Sequence, residues 1–194
     1  MASRKHVGAG FSLVEVLVSA VVLSAGLLGT MGLLLASART SNEAATFTVA
    51  LNLVRDLSEK ARMNKGVAAS HDAANAYLVE QWREGAAQKA QGPSCAAAGT
   101  PCSAAQLAAW DMREWTQRVA AALPDARVSV CFDEAPWRGA AGAPVWPCSH
   151  TGGSVVVKLG WTLHAGADAD PANPPPRLVI PLLNGQSHDA PSGG

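Results

Sequence analysis

The chain has 194 residues, 48% of them hydrophobic and 15% charged, with 15 Lys+Arg against 15 Asp+Glu. This neutral balance lacks the basic excess that phosphate backbones require, so nucleic acid is excluded as the expected partner. The apolar fraction excludes a disordered chain, and the length suits one globular domain with an added segment.

Residues 1–10 read MASRKHVGAG, short and basic through Arg4, Lys5 and His6. The apolar stretch FSLVEVLVSAVVLSAGLLGTMGLLLASA follows, with no charge from Val16 to Ala38. As a helix that uncharged run is about 35 Å long, enough for a hydrocarbon core of about 30 Å. A soluble core helix is seldom apolar on every side for so long. The basic cluster ahead of it predicts a cytoplasmic N-terminus, with everything after Arg39 on the far side of the membrane. A secretory signal peptide is one alternative, since Ala36-Ser37-Ala38 offers an A-x-A cleavage pattern. The run exceeds the usual signal core of about 7–15 residues, however. A plain uncleaved anchor is another alternative. Neither accounts for Gly10 before the run, Phe11 opening it, or Glu15 inside it. A carboxylate in hydrocarbon costs roughly 2.5–3.5 kcal/mol on insertion scales, which marks a functional residue in need of a partner. A cut between Gly10 and Phe11 would create an ammonium group four residues before Glu15. The plainer account is that Glu15 favours the positive end of its own helix.

The basic leader, Gly10 and Phe11-Ser12-Leu13-Val14-Glu15-Val16-Leu17-Val18 resemble the class III signal of type IV pilins and pseudopilins. The family pattern is a glycine, then F-T-L-I-E and a hydrophobic helix; Ser12 and Val14 are conservative departures. The resemblance implies cleavage after Gly10 by a membrane aspartyl prepilin peptidase, which also methylates the new amine of Phe11. It implies that Glu15 is the assembly carboxylate, which draws a subunit into register against a neighbour's N-terminus. Gly26, Gly29 and Gly32 recur every third residue. They read either as ordinary glycine use in a membrane helix or, by the resemblance, as a soft segment that loses regular structure when filaments pack.

From Asn42 to Met63, Phe47, Ala50, Leu51, Val54, Leu57 and Ala61 fall at steps of three and four, the face of an amphipathic helix. Ser41 or Asn42 can cap a fresh helix, so a break is expected there as an option. Asn64-Lys65-Gly66 is a stop signal. The resulting organisation is a leader at 1–10, a stem helix at 11–65 with its transmembrane part at 11–38, and a periplasmic head at 66–194. The polar tail, 184–194, is expected to be disordered.

In the head, Asp72 to Gln91 reads as a loose helix around Tyr77, Leu78 and Trp82. Ser103-Ala104-Ala105-Gln106 is a capping box and opens a stronger helix ending near Leu123, before Pro124. Ala108, Met112, Trp115, Val119 and Leu123 share one face of it, with Trp110 beside them. These tryptophans read as core rather than ligand platforms. Three strands are expected: Arg127 to Phe132, Ser154 to Leu163 and Arg177 to Leu183. Their alternation puts Val128, Val130, Phe132, Val155, Val157, Leu159, Trp161 and Leu163 on a face covered by the stem. Val156, Lys158, Gly160 and Thr162 face the other way. The fold class is therefore α+β and pilin-like: a long N-terminal helix on a small antiparallel sheet, with an extra helix. Two long connections, Glu134 to Gly153 and His164 to Pro176, suggest function or mobility. Trp137 and Trp146 in the first either form a contact surface or fold back over the sheet.

Cys95, Cys102, Cys131 and Cys148 are even in number in an exported domain, which suggests two disulfides. Three connectivities are open; Cys95–Cys102 with Cys131–Cys148 closes the shortest loops and is favoured. Their spacing does not suit zinc, and His150 near Cys148 does not repair it. Asp168, Asp170 and Asn173 lack the pattern of a calcium loop. The histidines are scattered, and no nucleophile elbow, P-loop or H-E-x-x-H motif is present. No enzyme, cofactor or metal is expected.

Ala25-Gly26-Leu27-Leu28-Gly29, the stem end from Leu53 to Asn64, and Val155-Val156-Val157 with Trp161 resemble the PilV type of minor pilin. That resemblance implies a structural subunit that primes pilus assembly at the inner membrane and sits in or at the tip of the filament. Its implied partners are the prepilin peptidase/methyltransferase, other minor and major pilins, the inner-membrane assembly platform, a large tip adhesin and the lipid bilayer. Its implied location is a single-pass inner-membrane precursor and then the cell-surface pilus. A minor pseudopilin of a type II secretion system and a membrane-anchored periplasmic binding module are the competing expectations.

Overall fold

The computed structural model describes residues 12–86, 93–96, 101–162 and 173–183. The chain divides into two compact units, residues 1–44 and 45–194. In the first, the described structure is one helix. Helix α1, Leu13–Met63, begins there and runs on into the second unit without interruption. No break occurs at Ser41 or Asn42. The Thr40 hydroxyl donates to Ala36 O at 3.2 Å, within its own helix, and the helical pattern of apolar residues resumes immediately after.

In the second unit, α1 buries Ala50, Leu53, Val54, Leu57 and Ala61. This is the stripe expected from steps of three and four. The stem helix stops at Met63, two residues short of the expected Lys65. A short helix α2, Lys65–Ala68, follows, so Gly66 lies inside a helical turn rather than ending one. Next come strand β1, Val79–Arg83, helix α3, Ala104–Ala122, strand β2, Arg127–Phe132, a 3₁₀ turn at Ala140–Gly142, strand β3, Val155–Gly160, and strand β4, Leu178–Leu183. The sheet order is β1-β2-β3-β4, antiparallel throughout. Leu163 lies outside the described residues.

The expected α+β architecture is present: a long N-terminal helix, an extra helix and a small antiparallel sheet. Among the described residues the sheet has four strands rather than three, because the loose helix expected over Asp72 to Gln91 is absent from its described part. Turns occupy that stretch ahead of β1. Asp72 Oδ1 accepts from Ala74 N at 2.8 Å and Asn75 Oδ1 from Tyr77 N at 3.0 Å. These local side-chain bonds divert the backbone from helical pairing. The strand then pairs with β2, with a register shift between Val79 and Trp82 and a positive φ of 54° at Gln81.

The Ser103 capping box opens α3: Gln106 N donates to Ser103 Oγ at 3.2 Å, and Ser103 N donates to Gln106 Oε1 at 2.9 Å. Ala108, Met112, Trp115 and Val119 of α3 join the α1 stripe and Val128, Val130, Phe132, Val155, Val157 and Leu159 in one core. Pro181 sits in β4, an edge strand, where a missing N–H is tolerated. The expectation of a sheet with one covered face is corrected: all six residues of β3 are buried. The second cover is the connection between β2 and β3.

Candidate functional site

The stem helix carries its side chains in two environments. From Leu13 to Ala44 every residue is exposed, including Leu13, Val16, Leu17, Val21, Leu23, Leu28, Met31 and Leu35. From Val16 to Ala38 this surface carries no charge on any side. The helix has the length and composition to cross a membrane. Glu15 stands exposed in its first turn, where the unpaired N–H groups of the helix end favour negative charge. Ser19 donates to Glu15 O at 2.6 Å, Ser24 to Ala20 O at 2.7 Å, and Thr30 to Leu27 O at 2.9 Å. These hydroxyls thus satisfy their donors on their own helix. Gly26, Gly29 and Gly32 lie in regular helix, and a Cβ added at any of them meets nothing within 4 Å. Gly10 and Phe11, the expected scissile bond, lie outside the described residues.

Within the second unit, polar contacts fix the end of α1 to α3. Lys60 Nζ reaches Asp111 Oδ1 at 3.0 Å and Glu114 Oε2 at 3.1 Å. Tyr77, itself buried, donates to Asp111 Oδ2 at 2.8 Å, and Asn64 Nδ2 donates to Ala104 O at 2.7 Å. Trp115 Nε1 donates to Leu53 O at 2.7 Å, directly onto the backbone of α1. Burial alone would push the Lys60 ammonium down, but its hydrogen bonds and the charges of Asp111 and Glu114 outweigh it and raise the pKa. Burial, then the bond to Asp111, raises the Tyr77 phenol well above its ordinary value.

The opposite face of the sheet is built around Lys158. This fully buried ammonium meets Asp133 Oδ2 at 2.5 Å, the carboxylate being equally buried. It also donates to Val145 O at 2.8 Å and Pro147 O at 2.9 Å, both on the covering loop. Arg138 adds a second cation at 3.2 Å from Asp133. Burial opposes ionisation of Asp133, but the Lys158 hydrogen bond, the Ala135 amide and the Lys158 charge win and hold its carboxyl below the usual range. Disulfide Cys131–Cys148 ties the same loop to β2. Disulfide Cys95–Cys102 joins the segment ahead of α3 to its N-terminal approach. Cys131, Asp133 and Cys148 cluster closely enough to suggest a metal site. Their sulfurs are bonded to each other, which leaves no thiolate to act as a ligand.

The two loop tryptophans part company. Trp146 is buried over the sheet and donates to Pro174 O at 2.7 Å, while Trp137 is exposed. Trp82, Trp115 and Trp161 are core residues, and Trp110 is half-buried beneath Arg113. Asn173 accepts from Arg127; Asp168 and Asp170 lie outside the described residues, as does the tail from 184. Sequence reasoning missed the Lys158–Asp133 pair. Its available signal was a lysine at an outward position of an apolar strand, with an aspartate directly after the neighbouring strand.

Residues 32–113 match the family described as Tt1218-like, type IV pilin Tt1218. The chain is similar to a type IV pilin. No curated protein and no solved structure matches it. The matched span starts well after Glu15 and ends in α3. It therefore supports the pilin reading independently of the leader motif at residues 10–15.

Proposed function

We propose that the protein is a minor type IV pilin of the PilV type, made as a single-pass inner-membrane precursor with a cytoplasmic leader and a periplasmic head. The prepilin peptidase/methyltransferase removes residues 1–10 and methylates Phe11. The stem at 11–38 then leaves the bilayer for a filament of other minor and major pilins, drawn in at the assembly platform. The protein primes assembly there and remains in or at the tip, where a large adhesin is a candidate neighbour. Gly26, Gly29 and Gly32 supply a stretch that yields as stems pack.

One observation carries this reading: a lone carboxylate, Glu15, in the first turn of a helix whose first stretch, residues 13–38, is exposed on every side and otherwise uncharged. Such a surface needs lipid or neighbouring stems around it. Within either, Glu15 is stabilised by an ammonium group, which a processed neighbour provides at its Phe11. Two measurements test this. Mass spectrometry of the mature N-terminus is expected to find N-methylated Phe11; an intact Met1 or a start at Arg39 sinks the proposal. Glu15→Ala is expected to leave the precursor in the membrane and processed, but to remove it from sheared filaments. Normal incorporation of that variant would refute the role given to Glu15.

A further inference from the structure

Arg83 and Arg127 stand directly opposite each other on β1 and β2, so both side chains leave the sheet on the same face. Like charges in this arrangement destabilise a sheet. Neither arginine makes an ion pair with a carboxylate among the described residues. Nearby, the Asp125 carboxylate takes the Thr162 hydroxyl at 2.8 Å instead.

The Arg127 guanidinium is also held in place. Its carbon lies 4.1 Å from the centre of the Trp146 ring, and Nη1 donates to Asn173 Oδ1 at 2.6 Å. Its Nε is buried with no hydrogen-bond partner. The next residue across the sheet is Gly160, and a Cβ there would come within 2.8 Å of Trp146 Cζ2. The missing side chain thus admits the indole on which Arg127 rests. Burial, then the charge of Arg83, pushes the Arg127 pKa down. A stacked, oriented guanidinium beside a second one is costly in the free protein and well prepared for an anion.

We propose that Arg83 and Arg127 form a binding site for a phosphate-type oxyanion on the loop-covered face of the head. Two guanidinium forks match a tetrahedral, doubly charged group. A single carboxylate neutralises only one of them. The same chemistry arrives as free phosphate or as the phosphate of a lipid headgroup.

The test uses the full chain in neutral detergent, titrated calorimetrically at pH 7.5 and low salt with inorganic phosphate, glycerol 1-phosphate, sulfate and acetate. Saturable one-to-one binding of phosphate is expected, with sulfate competing and acetate weaker. Arg83→Gln and Arg127→Gln are each expected to weaken it by about ten-fold or more, the effect of losing a charge-assisted hydrogen bond. Arg55→Gln, an exposed stem cation, leaves it unchanged. Tighter binding of glycerol 1-phosphate than of phosphate assigns the site to a headgroup, and the reverse to free phosphate. Melting curves supply a second readout. Without phosphate, Arg83→Gln is expected to raise Tm by removing the repulsion, and phosphate raises the Tm of the parent only. Several results overturn the proposal: non-saturable binding, equal affinity in Arg83→Gln, or a lowered Tm in that variant without phosphate.

Discussion

Residues 13–44 and 45–63 belong to one helix, yet their side chains meet different surroundings within the chain. None of the first set is buried, and Ser19, Ser24, Thr30 and Thr40 bond to carbonyls of their own helix. The second set buries one stripe, is gripped by Trp115 and Lys60, and presents Asn52, Arg55 and Glu59 elsewhere. One continuous backbone therefore carries two kinds of side-chain surface. The early part packs on no other element among the described residues, whereas the later part packs on residues as far along the chain as Leu182, 124 positions after Ser58, whose hydroxyl donates to its carbonyl at 3.1 Å.

The sharpest test of that contrast is Trp115→Ala. Loss of this fully buried indole is expected to cost the head about 3–5 kcal/mol in urea denaturation followed by near-UV circular dichroism. Helicity of residues 13–44 in detergent is expected to persist. Simultaneous loss of both would abolish the distinction. Lys158→Met comes next, at about 3 kcal/mol, moderated because Arg138 still faces Asp133. Adding Asp133→Leu is expected to recover more than half of the loss, since no charge then remains buried.

Tyr77→Phe is expected to cost about 1–2 kcal/mol at neutral pH through its lost bond to Asp111. It also reshapes the alkaline limb. The folded pKa values of Tyr77 and Lys60 are raised, so their stabilisation is complete below the unfolded values of about 10 and 10.4 and is lost as pH climbs through the folded ones. The variant is expected to fall less steeply above pH ~10. Asp133 has the opposite sign: its folded pKa is depressed, so its contribution is present above about pH 3.9 and disappears as acid titrates the folded carboxyl. Denaturant midpoints collected across the pH range check both limbs. The smallest effect belongs to Gly29→Ala. The added methyl meets nothing and strengthens the local helix by up to about 1 kcal/mol. Hydrogen exchange is expected to slow around residue 29, while the head melts within the scatter of the parent.

Much of this was legible from residue order. The period of three and four gave the buried face of the second half-stem, Ser103 and Gln106 marked the start of α3, and alternation located β2, β3 and β4. Glu15 stood out because a carboxylate is rare in such a setting. β1 was not legible: Tyr77, Leu78 and Trp82 satisfy a helical spacing, and only Asn75, Asp72 and the partner strand decide against it. With β1 hidden, the pairing of Arg83 with Arg127 was hidden too. Lys158 was misjudged as facing an open side because its cover comes from a loop without periodicity, held by contacts that no local pattern encodes.

The occupied hydroxyls of the early stem have a mechanical consequence. From Leu13 to Ala36, Ser19, Ser24 and Thr30 have already spent their protons on the turn behind them, so nothing but Glu15 offers a sideways polar grip. Two such rods laid together are slippery. Sliding one along the other exchanges grease for similar grease at almost every offset, and under the proposed packing of stems Glu15 is the tooth that selects where the motion stops.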